Sequence, residues 1–172
     1  MKLLFKLLIL IFLSTLVRSN ETLEYNIVGN KRISDETIKN IVNLKKNKNY
    51  NIEDLNNFQK KLYETNYFKE VSIKIKKNKI NIIVSENPII DFFYINGVIN
   101  KKREDFFYEN LLLGQNKIFS EALLKQDIEK IKDIFHAAGF FDVKVDTSIS
   151  KISGNALNLV INIDRKEKYK IN

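Results

Sequence analysis

Tyr25-Asn26-Ile27-Val28-Gly29-Asn30 and Phe93-Tyr94-Ile95-Asn96-Gly97-Val98 are one phrase written twice, with the two glycines 68 residues apart. Each reads as a short apolar strand running into a Gly/Asn turn, where Gly29 and Gly97 supply a backbone conformation with φ > 0. A period of that length is too long for a solenoid repeat and suits a small folded domain. Whatever follows the first phrase should therefore follow the second.

It does. After Gly29, Ser34 is a fitting N-cap, with Asp35 and Glu36 placed well against the helix dipole. Ile38, Ile41 and Val42 form a short apolar stripe. Asn51 with Asp54 makes a weak capping box, and Ile52, Leu55, Phe58 and Leu62 step at helical spacing up to Asn66, which tolerates a left-handed C′ position. Val71, Ile73 and Ile75 then alternate with Ser72, Lys74 and Lys76. A Lys77-Asn78 turn leads to Ile80, Ile82 and Val84. The second unit repeats the order. Asn100 or Lys101 opens a helix with Phe106, Phe107 and Leu111. Ser120 caps a longer helix through Leu124, Ile128, Ile131 and Phe135, ended by Gly139. Phe141, Val143, Val145 and Ile149 read as a strand, and Leu157, Leu159, Ile161 and Ile163 follow a Gly154-Asn155 turn.

Each unit is thus β-α-α-β-β, an α+β domain with a three-stranded mixed sheet and two helices on one face. The Leu157–Ile163 segment reads as a central strand. The lysine-bearing Val71–Lys76 segment reads as an edge, where lysine discourages permanent pairing. The first strand of each unit should then lie beside the third, leaving the second exposed. Domain limits are expected at 21–88 and 89–166, joined stiffly at Pro88, which lacks an amide donor and restrains its neighbour.

Residues 1–19 read as an export signal. Lys2 and Lys6 precede the apolar run Leu7–Val17, and Val17 and Ser19 suit the −3 and −1 positions of cleavage. The eleven residues between Lys6 and Arg18 are too few for a span. Lys2, Lys6 and Arg18 account for three of the net +8 charges, so the exported remainder carries a mild +5. The chain has no cysteine and one histidine, His136, expected at a rim position on the long helix. No metal-ligand set or nucleophile–base pair is suggested, and the chain reads as non-enzymatic, with no cofactor. Lys45-Lys46-Asn47-Lys48 is the strongest basic cluster and reads as a solvated loop.

The order and spacing of these pieces resemble the POTRA domains of the BamA family of outer-membrane protein assembly factors. The likeness rests on Ile27-Val28-Gly29-Asn30 and Ile95-Asn96-Gly97, on Leu62–Val71 as a helix-to-strand junction, and on Ile83-Val84-Ser85-Glu86-Asn87-Pro88-Ile89-Ile90 as an acidic-then-proline joint. It covers Glu21–Asn172, with Tyr169–Ile171 resembling the opening of a third unit at 167–172. The resemblance implies a periplasmic receptor and scaffold at the outer membrane, whose membrane β-barrel is absent from this chain. Unfolded outer-membrane proteins would be its clients, with periplasmic chaperone and accessory lipoproteins as partners. Such clients can add a strand to an exposed sheet edge, largely regardless of side chain. The expected client-binding edges are Val71, Ser72, Ile73, Lys74, Ile75 and Lys76, and Val143–Ile149, chiefly Val143, Lys144, Val145 and Asp146. The solvent-facing Lys74 and Lys144 are the expected places for a proline that removes an outward donor. A handful of backbone bonds, each worth about 1 kcal/mol net, implies affinities of roughly micromolar to millimolar.

Three other readings share features. The transporter of two-partner secretion carries two such units, and an FtsQ-like division scaffold carries one behind a true membrane helix. A KH module shares the β-α-α-β-β core order, but Asn43–Tyr50 has no glycine and Leu112–Phe119 has only Gly114, which denies it the GXXG clamp; no nucleic-acid partner is expected.

Overall fold

The computed structural model describes residues 24–45, 48–76 and 79–165. The export signal, the Lys46-Asn47 part of the basic cluster, the Lys77-Asn78 turn and residues 167–172 lie outside the described residues. The first unit runs β1 (Glu24–Val28), α1 (Asp35–Val42), α2 (Ile52–Glu64), β2 (Phe68–Lys76) and β3 (Lys79–Glu86). The second runs β4 (Ile89–Asn96), α3 (Lys101–Asn110), α4 (Glu121–Ala137), β5 (Val143–Ile152) and β6 (Ala156–Arg165). The sheet orders are β1-β3-β2 and β4-β6-β5. In each, the first strand pairs parallel with the third and the second pairs antiparallel with it.

Local chemistry sets the helix ends as the sequence implies. Ser34, Asn51, Asn100 and Ser120 all accept a backbone amide from the first turn of their helix, and Asp54 completes a capping box with Asn51. Asn66 takes φ 58° after α2. One core gathers Ile38, Phe58, Leu62, Val71, Ile80 and Ile82; the other is built on Ile90, Phe107, Leu113, Ile131, Phe135 and Leu159.

One sequence expectation, the place of Phe141, needs correction, and the structure refines two others. The central strand β6 buries only alternate residues, Leu157, Leu159, Ile161 and Ile163, because the helices cover one sheet face and leave the other open. On that open face Ile83, Phe92 and Tyr94 are about half exposed, the last two as a stacked pair. Phe141 is not part of β5; it is 63% exposed and stacks on the exposed His136. Of the Phe106-Phe107 pair, Phe107 is core and Phe106 faces outward beside Lys101 and Ile134.

Asp127, fully buried on α4, holds the α3–α4 loop by accepting the amides of Leu112 and Leu113 at 2.8 Å each. Asp127→Ala would strand both donors, partly offset by relief from burying the carboxylate. The expected cost is about 2 kcal/mol, read as a lower urea midpoint for the second unit.

Candidate functional site

Each sheet has two outer edges, so four strands compete to be the exposed one. Three features of the fold decide among them. β4 is covered at its start and again at Ile95. The segment after α3 runs antiparallel beside its start, with an isolated bridge between Ile89 and Ile118. The Phe119 amide donates to Pro88 O, the Ile90 amide to Lys117 O, and the Asn116 amide to Ile90 O. Further along, the Ile95 amide donates to the Tyr108 hydroxyl.

β2 is half covered. The Val71 amide donates to the Tyr63 hydroxyl at 3.1 Å, and the Val71 carbonyl accepts from the Gln59 side-chain amide at 2.9 Å. Both partners come from α2, so Val71 is withdrawn from the edge expected to be free. The same pair of bonds sets the direction of every amide after it. Val71 points its N–H away from β3, so alternation along an antiparallel ladder points Ile73 and Ile75 outward too. Lys74 then donates into the ladder toward Asn81, its partner in register. A solvent-facing side chain does not mark an outward amide, and proline at Lys74 would break the sheet instead of probing its edge.

β1 is free of such contacts among the described residues but offers only five residues. That leaves β5, ten residues long, with no side chain or loop hydrogen-bonded to its outer edge among the described residues. Its register follows from the internal repeat. A Cβ on Gly29 would stand 1.9 Å from Val84 O, and one on Gly97 would stand 1.9 Å from Ile163 O, so Val84 and Ile163 are equivalent. Val84 pairs with Val71, and Ile163 with Val145. Val145 therefore takes the place of Val71, and Val143, Val145, Thr147, Ile149 and Lys151 direct their amides outward. Lys144 and Asp146 face their amides to β6.

The free edge leads to the joint between units. Pro88 sits between β3 and β4, and its carbonyl is tied to Phe119. Asn155, in the β5–β6 turn, donates to Glu86 O and accepts the Ile89 amide. Ser120 Oγ donates to Asn66 Oδ1 across the units at 2.9 Å, and Asn87 donates to Asn66 O. The buried Glu86 carboxylate accepts the Lys31, Arg32 and Ile33 amides at 2.6, 2.8 and 3.0 Å and the Arg32 Nε at 3.0 Å. Arg32 also donates to Asn87 O. Burial alone would raise the Glu86 carboxyl; the bonds from Ile33, Lys31 and Arg32 outweigh it and bring it down to about 2. Among the described residues no group of histidine, cysteine and carboxylate side chains could hold a metal ion.

Two consecutive β-α-α-β-β units with parallel first and third strands, linked by a bonded acidic-proline joint, define a tandem of one small α+β module. The POTRA family model, described as a surface antigen variable number repeat, matches residues 24–87 and again 88–166, and the chain belongs to the POTRA family. Among curated relatives, the outer membrane protein assembly factor BamA of Neisseria meningitidis serogroup B (strain MC58) is 24% identical over 168 residues, which is 95% of this chain and 21% of that protein. BamA of Neorickettsia risticii is 22% identical over 155 residues, 90% of this chain and 21% of that protein. The chain thus spans about a fifth of the length of these relatives. The fold matches the N-terminal domain of Omp85 from Thermosynechococcus elongatus with a TM-score of 0.56 at 13% identity, over 81% of this chain and 60% of that one. It matches POTRA1-3 of the periplasmic domain of Omp85 from Anabaena with a TM-score of 0.54 at 14% identity, over 80% and 59%.

Proposed function

We propose that this chain is the periplasmic receptor and scaffold part of an outer-membrane protein assembly factor. It holds unfolded outer-membrane proteins by strand addition at β5 and passes them toward the membrane. The observation that carries this reading is the inequality of the edges. β4 is covered at its start and at Ile95, β2 is capped at Val71 and β1 is short, whereas β5, ten residues long, has no hydrogen bond to its outer edge among the described residues. An unfolded barrel protein is a series of alternating strands with unsatisfied backbone groups, and such an edge satisfies them without reading most side chains. The reading places the chain in the periplasm, with chaperone and accessory lipoprotein partners as the family implies. It is a scaffold, not an enzyme; catalysis plays no part in it.

Proline at both Thr147 and Ile149 removes two outward donors from an edge strand, where proline is tolerated. Loss of two bonds of about 1 kcal/mol each predicts a fall of at least about tenfold in affinity for a segment of an unfolded outer-membrane protein. In the unmodified chain, titration with the same segment should shift the amide resonances of Val145, Thr147 and Ile149. Resonances of β5 that stay still while others move would place the client elsewhere and end the β5 reading.

A further inference from the structure

β4 runs out into Asn96-Gly97, and Asn96 is the one asparagine of the chain that a glycine follows. Every other asparagine with a successor precedes a residue that carries a side chain. The difference is chemical. With no Cβ on the next residue to crowd it, the Gly97 amide nitrogen can attack the side-chain carbonyl carbon of Asn96. The N–Cγ bond forms, the Cγ–Nδ2 bond breaks, and ammonia leaves with the proton that the amide gave up. Water then opens the cyclic imide at either carbonyl. One opening leaves an ordinary aspartyl residue. The other leaves an isoaspartyl linkage, in which the main chain runs through the side-chain methylene.

The fold leaves this site open. Asn96 is exposed, and its side-chain amide is held by a long bond, Nδ2 to Asn162 Oδ1 at 3.3 Å. Asn96 with Asn162 is also the last pair of the β4–β6 ladder, so fraying of that single pair frees the main chain to bring the Gly97 nitrogen to Cγ. The two products then meet different surroundings. An ordinary aspartate needs only a rotation of the Asn162 amide, whose NH2 then donates to the new carboxylate. The isoaspartyl linkage lengthens the main chain immediately before Gly97. Gly97 lies so close to β6 that a Cβ on it would stand 1.9 Å from Ile163 O, and that obstacle is central-strand backbone. The extra methylene has nowhere to go without moving Gly97 off this seat.

We propose that Asn96-Gly97 is a spontaneous modification site of the folded chain, and that its isoaspartyl product unfolds the second unit while leaving the first intact. The internal repeat supplies the contrast. Gly29 is the equivalent glycine, and Val28 stands in the place of Asn96, paired with Ile83 as Asn96 is with Asn162. The first unit therefore has the same crowded glycine without the reactive neighbour. The inference stands apart from the reading of β5 as a client edge.

The test is prolonged incubation of the folded full chain in mildly alkaline buffer, followed by peptide fragmentation and isoaspartate-specific methylation. Position 96 should convert ahead of every other asparagine. Amide signals of the second unit should fade in step with it while those of the first persist. Asn96→Gln, whose longer side chain closes the ring poorly, should abolish both changes. Freshly made Asn96→Asp should keep the second unit folded, because it carries the charge without the extra methylene in the main chain. Val28→Asn should create a second converting position and make the first unit fail as well. Conversion confined to the urea-unfolded chain, or another asparagine converting first, overturns the site. A second unit that stays folded with position 96 isoaspartyl overturns its consequence, and with it the proposal.

Discussion

Gly97→Ala is expected to cost the second unit about 4 kcal/mol, close to the whole stability of a domain this small. Two separate penalties combine. Gly97 sits at φ 90°, where an L side chain is strained. The added Cβ would also stand 1.9 Å from the carbonyl oxygen of Ile163 and 2.9 Å from its carbon. Ile163 belongs to β6, the central strand, so the obstacle is sheet backbone held on both sides and cannot turn away as a side chain could. Gly29→Ala meets the same obstacle at Val84 O in β3 and should unfold the first unit instead. Gly139 and Gly154 separate the two penalties. Both have positive φ, 86° and 76°, but a Cβ on either would meet nothing within 4 Å. Their alanine variants should lose only about 1 kcal/mol. Urea unfolding followed by unit-specific amide signals measures all four. A Gly97→Ala loss no larger than that of Gly154→Ala would show that the close approach to Ile163 is not what fixes this residue.

The contrast between those glycines bounds what sequence can show. The φ > 0 turns, the helix caps and the strand order were legible because each depends on residues near one another or on alternation. The distinction between Gly97 and Gly154 was not, since it depends on which distant backbone passes nearby. The edges followed the same division. Alternation with lysine marked Val71–Lys76 as an edge, and it is one. That Tyr63 and Gln59 would reach over and occupy Val71 depends on how α2 lies on the sheet. Likewise, nothing in Gly114–Phe119 announced that this loop would pair with Pro88–Ile90 and cover β4. Phe141 failed for a related reason: an alternating pattern extends a strand on paper past the point where Gly139 has already turned the chain.

Glu86 is the second position with a large expected effect, and its pH dependence has a definite sign. Its side chain is only 3% exposed, and the carboxylate is bonded by three consecutive amides and by Arg32. The folded-state pKa of about 2 lies below the ordinary 4.5, so folding favours the ionised form. The stability it contributes is fully present above about pH 4.5 and is lost as pH falls through about 2. At about 1.4 kcal/mol per unit, the difference amounts to about 3 kcal/mol. The first unit should therefore lose about that much between pH 5 and pH 2 through this group. Glu86→Gln removes the titration, so its stability should fall less over the same range, from a lower value at neutral pH. Glu86→Ala leaves the Lys31, Arg32 and Ile33 amides without their acceptor and Arg32 without its counter-ion, at a cost of about 3 to 4 kcal/mol. The effect should also reach the joint, because Arg32 holds Asn87 O and Asn87 holds Asn66, which bonds to Ser120 of the second unit. Residual dipolar couplings measured on Glu86→Gln should show the two units reorienting relative to one another while each remains folded. Couplings that still fit a single rigid arrangement, with an unchanged acid unfolding curve, would confine Glu86 to a passive place in the first unit and leave the Pro88 main-chain bonds to set the angle alone.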